Sequence, residues 1–235
     1  MRKLKFTLLA ILATSLTFTS CKEEETVTPA ADTAKVLVVH ASPNAPGVDL
    51  LVDNVKVNSS ALTFPNNTGY LTVNAGARNI KVNVSGTSTT VIDATPTLAK
   101  DVNYSVFAID SVSKISPLVT VDNLAAPASG KAHIRFIHLS PNAPAVDVSV
   151  VGQAAGTGLF LNRSFNKTIT ASESAFTPVD AGTYDLEVRV AGTTTVALDL
   201  PDVTLTAGKI YTVFAKGFLG GTGAQALGAG IIVNK

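Results

Sequence analysis

The sequence is poor in the residues that most covalent, metal and redox chemistry needs. Its 235 residues include one cysteine and three histidines. A single cysteine excludes a disulfide within the chain, zinc sites built on two or more thiolates, and haem attached through a C-x-x-C-H motif. Tryptophan is absent and aromatic residues make up 6% of the chain, so few side chains are available for stacking on sugar rings.

Charge is also scarce. Charged residues make up 15% of the chain, against roughly 25% in an average soluble domain. Lys and Arg number 18 and Asp and Glu 17. Binding of phosphate backbones needs a concentrated basic surface, so we expect no nucleic-acid partner. The chain is long enough for one large domain or for two domains of about 100 residues each.

Residues 1–20 have the three parts of a secretory signal. A basic start (MRKLK) leads into the mostly apolar run FTLLAILATSLTF, and small residues then precede the single cysteine, Cys21. The run is too short to span a bilayer core as a helix, which takes about 20 residues. We expect residues 1–20 to be removed and residues 21–33 to form a polar, flexible tether.

The segment F-T-S-C at residues 18–21 resembles the lipobox of bacterial lipoproteins, with Phe18 in place of the usual Leu. The resemblance implies cleavage before Cys21 and acylation of its thiol and new amine, which anchors the protein stably in a membrane. The alternative is an ordinary secretory signal.

The acidic cluster KEEE at residues 22–25 resembles the surface-export signal of Bacteroidetes lipoproteins. This implies an outer-membrane protein exposed at the cell surface. The alternative is that the cluster is only a solvated tether and the protein faces the periplasm.

The rest of the chain contains an internal repeat, which is the clearest sign of its organisation. Three blocks recur in the same order: HASPNAPGVD at 40–49 as HLSPNAPAVD at 138–147, VNAGARNIKV at 73–82 as VDAGTYDLEV at 179–188, and LAKDVNYSVFA at 98–108 as LTAGKIYTVFA at 205–215. The repeat predicts two modules, at 34–124 and 132–235, joined by a short linker at 125–131. The distance along the chain between matching blocks increases after the first block, which places an insertion of about eight residues within 151–174. We expect these extra residues to form a loop.

The repeated blocks alternate apolar and polar residues with a period of two, as in RNIKVNV at 78–84 and YDLEVRV at 184–190. This period indicates half-buried strands, and frequent turn residues separate them. We therefore predict an all-β fold of two tandem Ig-like antiparallel β-sandwiches. Tyr104 and Tyr211 lie at strand starts just after turns, as in a tyrosine corner.

The pattern H-x-S-P-N-A-P-x-V-D, followed by the glycine-turn strand and the Y-[ST]-V-F-A strand, resembles the DUF4397 family in both halves. That family occurs as tandem β-sandwich modules in bacterial surface and secreted proteins. The resemblance therefore implies an architecture and a location. It implies no chemistry, because the activity of the family is unassigned.

The decapeptide carries the candidate site residues, which are His40, Ser42, Pro43 and Asp49 in the first copy and His138, Ser140, Pro141 and Asp147 in the second. Ser, His and Asp are the residues of acyl-transfer triads, and His with Asp can bind metals. However, each serine precedes a proline, which favours an extended or turn backbone. Because side chains alternate between the two faces of a strand, we also expect both aspartates to point to solvent or to the rim of the sandwich. The same alternation places both histidines at the ends of apolar faces.

We therefore interpret the motif as structural. A partly buried imidazole ties the strand end to the Pro-Asn-Ala-Pro turn, which two prolines stiffen and in which Asn44 and Asn142 form Asx-turns. On this interpretation the protein has no catalytic, metal or cofactor site. It is a non-catalytic envelope module that serves surface binding, adhesion or structure, with a glycan or a protein as candidate ligand.

Two other functions stay open from the sequence. One is a hydrolase or metal-dependent enzyme that uses the repeated His, Ser and Asp. The other is an accessory subunit of an outer-membrane or periplasmic complex. In addition, Thr33 and Ser111 lie in the tripeptides D-T-A and D-S-V, which resemble O-glycosylation acceptors of Bacteroidetes export.

Overall fold

The computed structural model describes residues 31–235, which form one compact unit. The predicted signal peptide, Cys21 and most of the predicted tether lie outside the described residues. The strands are β1 Thr33–His40, β2 Val48–Val52, β3 Val55–Lys56, β4 Asn67–Asn74, β5 Gly76–Ala77, β6 Ile80–Val84, β7 Thr90–Ala94, β8 Thr97–Leu98, β9 Asn103–Ile109, β10 Ser116–Asp122, β11 Lys131–His138, β12 Val146–Val150, β13 Phe160–Arg163, β14 Thr177–Asp180, β15 Gly182–Val190, β16 Val196–Leu205, β17 Ile210–Lys216 and β18 Gly228–Val233.

Among the residues that the structure describes, helical structure is limited to short turns. The α-helix α1 spans Ala171–Ser174, and 3-10 turns lie at Val112–Lys114 and Gly223–Gln225. Within residues 31–235, no helix is long and apolar enough to cross a membrane.

The strands form two sandwiches, each with an inner and an outer sheet. In the first sandwich the inner sheet has the order β10-β9-β1-β4 and the outer sheet β3-β2-β6-β7, with β5 and β8 as a short ribbon. In the second sandwich the inner sheet has the order β14-β11-β17-β18 and the outer sheet β13-β12-β15-β16. The prediction of an all-β fold built from sandwiches is confirmed. The exact module boundaries stay a prediction.

One strand pair in each inner sheet is parallel. These pairs are β1 with β9 and β11 with β17, whereas the other strand pairs are antiparallel. Apolar alternation indicates which side of a strand is buried but carries no information on strand direction, so the sequence did not reveal the parallel pairs.

The strand faces follow the predicted alternation in the outer sheets. Val82 of β6 and Val188 of β15 point inward and are 3% and 4% exposed. The predicted tyrosine corners are also present. The hydroxyl of Tyr104 accepts the N–H of Ala99 at 3.0 Å, and that of Tyr211 accepts the N–H of Thr206 at 3.1 Å. These bonds hold equivalent turns in the two sandwiches.

The two inner sheets pack face to face, so that the described chain has four layers of β-sheet. A third hydrophobic cluster lies between the inner sheets, in addition to one inside each sandwich. Its members come from both sandwiches: Leu37, Val39, Ala41, Phe107, Ile109, Leu118, Ile137, Leu139, Phe214 and Ile232. Because the central inner strands are covered on both sides, their sequences are almost continuously apolar, as in KVLVV and SVFAI.

A buried ion pair lies within this interface. Arg135 of β11 in the second sandwich donates from Nη1 to Oδ1 of Asp122 in the first at 2.7 Å, and both side chains are 0% exposed. The guanidinium also donates to Thr212 Oγ1 at 2.8 Å, Thr120 Oγ1 at 3.1 Å and Ser105 Oγ at 3.3 Å. All these groups are buried, and together they occupy each nitrogen of the guanidinium.

The network continues to a second side chain that joins the sandwiches. The Tyr70 hydroxyl donates to Asp122 and accepts from Asn234 Nδ2 at 3.1 Å. Asn234 Oδ1 in turn accepts from Thr212 at 2.7 Å. Burial and the nearby Asp122 carboxylate raise the pKa of Tyr70, so its hydroxyl keeps its proton and stays a donor.

The insertion in the second half closes one side of this network. Residues 151–174, the range in which about eight extra residues were predicted as a loop, also contain β13 and the four-residue helix α1. A capping box starts α1, since Thr170 and Glu173 bond each other's main-chain N–H groups. The Ser174 carbonyl accepts from Arg135 at 3.3 Å, and the ring of Phe176 lies 4.3 Å from the guanidinium carbon.

The end of the predicted tether belongs to the fold. Strand β1 begins at Thr33, whose carbonyl accepts the N–H of Asp101 at 2.8 Å. The carbonyl of Asp32 accepts the N–H of Ala75 at 2.8 Å. Main-chain bonds of the fold therefore include residues 32 and 33, before the predicted boundary at residue 34.

We expect Arg135→Leu to lower the free energy of unfolding by about 3–5 kcal/mol, because it leaves the Asp122 carboxylate buried without its cation. Adding Asp122→Asn should recover most of the loss by removing that charge. The double variant copies Leu37 and Asn234, which occupy the equivalent positions of the other sandwich. Urea unfolding of the full chain measures both effects.

The control for this prediction is Lys131→Ala, which breaks an exposed pair with Asp180 at 2.7 Å. This variant should leave the urea midpoint almost unchanged. Equal loss of stability in Lys131→Ala and Arg135→Leu, or no recovery in the double variant, would contradict the role assigned to the buried pair.

Candidate functional site

The repeated decapeptide forms the turn between the inner and outer sheets of each sandwich. His40 ends β1, and its Nε2 lies 2.9 Å from the carbonyl oxygen of Pro46. His138 ends β11, and its Nε2 lies 3.1 Å from the carbonyl of Pro144. A carbonyl oxygen only accepts, so Nε2 carries the proton in both neutral rings. These are the contacts that the structural interpretation requires.

Burial sets the charge state of the two imidazoles. Both side chains are 0% exposed. Burial lowers the pKa of each ring below the usual 6.5, and the hydrogen bonds to Pro46 and Pro144 oppose the shift only in part. Both histidines are therefore neutral near pH 7 and act as hydrogen-bond donors.

The serines of the decapeptide do not bond the histidines. The Oγ atoms of Ser42 and Ser140 are buried and have no hydrogen-bond partner within residues 31–235, and the same holds for Nδ1 of both histidines. In a Ser-His-Asp triad the serine hydroxyl bonds the imidazole nitrogen that removes its proton. That bond is not formed in either repeat.

The aspartates hold the hairpin turn of the outer sheet. Asp49 accepts from Ser85 Oγ at 3.0 Å and the N–H of Gly86 at 3.2 Å, and Lys56 Nζ lies 2.8 Å away. The bonds from Lys56 and Gly86 lower the pKa of the Asp49 carboxyl.

Asp147 performs the same task in the second sandwich. It accepts the N–H groups of Asn162 at 2.7 Å and Gly192 at 2.8 Å. Asp49 and Asp147 are 8% and 2% exposed, so the prediction that they point to solvent or the rim is wrong. The hairpin turn folds over each carboxylate, and its main-chain donors compensate for the loss of water.

The asparagines connect each turn to a neighbouring loop, so the predicted Asx-turns are replaced by longer-range bonds. Asn44 Oδ1 accepts the N–H of Val112 at 2.8 Å, in the loop after β9. Asn142 bonds both main-chain groups of Leu219, in the loop after β17, at 2.8 and 3.0 Å. Pro43 and Pro141 lie in the same turns.

The candidate residues therefore bond different parts of the loop region and do not converge. Within the part of the chain that the structure describes, no group of three or more His, Cys, Asp and Glu side chains is placed to hold a metal ion. Of the two candidate glycosylation sites, Thr33 is half-buried at the start of β1, and Ser111 is half-buried beside the 3-10 turn at Val112–Lys114. Their modification stays a prediction.

Sequence reasoning missed two concave surfaces of the first sandwich. A polar groove of about 380 Å³ lies along residues 57–71 and is lined by side chains such as Asn58, Ser60 and Thr63. An apolar cleft of about 330 Å³ opens between the edge strands β7 and β10, next to Val119, which is 46% exposed. The only sequence signal for the cleft is the pair of small residues, Val38 and Ala94, at positions where the second half has Phe136 and Leu200.

The comparisons with known proteins identify a family but no activity. A family model described as a domain of unknown function, DUF4397, matches residues 6–149. No curated protein matches the sequence.

Among solved structures, the chain is similar to CBMbc, a family CBM26 module of Amy13K from Eubacterium rectale, crystallised with maltoheptaose. The sequence identity is 10%, the TM-score is 0.21, and the match covers 85% of this chain and 96% of that one. A likeness at this TM-score supports no inference about the ligand of this chain.

We expect the buried histidines to make the fold sensitive to mild acid. Between their lowered native pKa and the usual value of 6.5, the unfolded chain binds protons that the native chain does not. The free energy of unfolding should therefore fall as the pH drops below about 6.5. Urea midpoints measured at pH 7.5 and pH 5.5 test this.

The control is the double variant His40→Gln/His138→Gln, whose amides can still donate to the proline carbonyls. Its midpoint should change less between the two pH values than that of the native sequence. An equal change in both proteins would show that other groups cause the acid sensitivity.

Proposed function

Because the chain belongs to the DUF4397 family, whose function is unknown, we propose a function from its own residues: a non-catalytic binding module of the bacterial cell envelope. In this proposal Cys21 carries the lipid anchor, and the two sandwiches are held at the outer membrane with their ligand surfaces at the cell exterior. The ligand is a molecule bound without turnover, with a glycan or a protein as the classes suggested by the sequence.

The observation that carries the proposal is the use of the repeated polar residues in both sandwiches. Each histidine donates to a proline carbonyl, and each aspartate accepts main-chain N–H groups of a hairpin turn. An enzyme would need at least one of the repeated polar groups to face a substrate, and the atoms without a partner among the described residues, Oγ of both serines and Nδ1 of both histidines, are buried. Here the same groups fix the loops that connect the two sheets of each sandwich.

The inter-sandwich packing supports binding by a rigid platform. The apolar cluster and the Arg135–Asp122 pair bury the inner sheets against each other. Surfaces on the outer sides then keep fixed positions, which lowers the ordering cost of binding. The polar groove presents amide and hydroxyl groups, such as those of Asn58 and Ser60, that suit a glycan or a peptide main chain.

The enzymatic alternative is tested directly. The full chain should show no turnover of ester, peptide or glycan substrates above buffer, and His40→Ala/His138→Ala should give the same baseline. Turnover by the native sequence that disappears in this variant, while its melting temperature shows that it is folded, would overturn the non-catalytic proposal.

The anchor and the location are tested by protease treatment of intact cells. We expect intact cells to lose the wild-type protein to added protease, because the acidic residues after Cys21 direct it to the surface. In a Cys21→Ala strain the protein should leave the membrane fraction, since the acylated thiol is lost. A periplasmic marker that survives the protease shows that the cells are intact.

Protection of the wild type until the cells are lysed would place it at the periplasmic face. Retention of Cys21→Ala in the membrane fraction would contradict a lipid anchor at this residue.

A further inference from the structure

The apolar cleft of the first sandwich differs from the polar groove in having almost no polar lining. It lies between the inner and outer sheets, where the edge strands β10 and β7 leave the core open to one side. Its walls are formed by Val38, Val82, Ile92, Ala94, Val106 and Val119, with Thr95 as a polar side chain at the rim. Its volume of about 330 Å³ is at the lower end of the range of small-molecule sites, about 300–1,000 Å³.

The second sandwich has larger side chains at two of the positions that line the cleft. Phe136 stands at the position of Val38, and Leu200 at the position of Ala94. Phe136 is 1% exposed and stacks on Phe160 with ring centroids 6.2 Å apart. Larger side chains thus occupy the positions that are small in the first sandwich.

A longer loop borders this edge of the second sandwich. Residues 217–227 connect β17 to β18, whereas residues 110–115 connect β9 to β10. Leu219 and Leu227 of the longer loop line a small apolar pocket together with Val188 and Leu198, the counterparts of Val82 and Ile92. Its volume is about 80 Å³, and His138 forms part of its wall. The apolar pocket at this edge is therefore much smaller in the second sandwich than in the first.

We propose that the cleft of the first sandwich binds a linear aliphatic chain, such as the acyl chain of a fatty acid or lipid, with its polar end in solvent. This inference rests on the proposed binding function and names the chemistry of one ligand. If each carbon occupies roughly the 30 Å³ of a water molecule, the cleft holds a chain of roughly ten carbons.

The lining and the rims favour an acyl chain over the other ligand classes. A glycan needs several hydrogen-bond partners, and Thr95 supplies the only side-chain hydroxyl of the cleft. A peptide strand added to either edge would need unbroken main-chain pairing. Pro96 and Pro117 stand at the two rims and lack an N–H group, which interrupts such pairing.

The test is displacement of 11-(dansylamino)undecanoate from the full chain by octanoate, decanoate and dodecanoate. The dissociation constant should fall by about fourfold for each added CH2 group until the cleft is full. Val38→Phe and Ala94→Leu copy the second sandwich and should weaken probe binding at least tenfold, and a cooperative melting transition shows that each variant is folded. Ala197→Leu makes the same kind of change on β16 of the second sandwich and should bind the probe like the native sequence.

Three outcomes would overturn the proposal. These are no probe binding by the native sequence, equal binding by Val38→Phe and Ala94→Leu, and binding of a synthetic peptide of residues 217–228 without binding of any fatty acid. The second outcome would place the probe elsewhere, for instance on the apolar residues 6–18, which all variants share. Because no turnover is measured, failure here leaves the non-catalytic proposal to its own test.

Discussion

The pair formed by Arg135 and Asp122 is the interaction on which the arrangement of the described chain depends. Removing two charges from water is costly, and the cost is recovered only when geometry and surrounding hydrogen bonds are both good. Here the partners come from different sandwiches, the N–O distance is 2.7 Å, and hydroxyl groups of both sandwiches complete the network. The network is satisfied only when the inner sheets are docked in one register.

The interface is built from equivalent faces of the two repeats that have diverged at a few positions. Leu37 occupies the place of Arg135, Asn234 that of Asp122, and Phe176 that of Tyr70. The polar side chains Arg135, Asp122 and Tyr70 therefore do not meet copies of themselves across the interface. The buried cation and the buried anion each occur once in this network. The equivalent positions of the other repeat, Leu37 and Asn234, carry no charge, so this buried charge pair occurs once among the described residues.

The comparison of the two repeats also shows which parts of the sandwiches are alike and which differ. The His, Asn and Asp side chains of both decapeptides hold loops in nearly the same way, so they give the sandwiches a common frame. The clefts differ because two core positions and one loop length differ. Binding specificity in such a fold depends on the side chains and loops that vary while the frame is kept.

The sequence by itself determined the all-β class, the repeat, the inward faces of Val82 and Val188, and the tyrosine contacts, because these depend on local periodicity and turn chemistry. It did not determine that Asp49 is covered by a hairpin turn, that β1 pairs with β9 in parallel, or that Arg135 is buried. An arginine within a strand is typical of a solvent-facing position, and only the second sheet packed over it reverses that interpretation. Tertiary structure decided these points because each depends on a partner far away in the sequence, and no local pattern contains that partner.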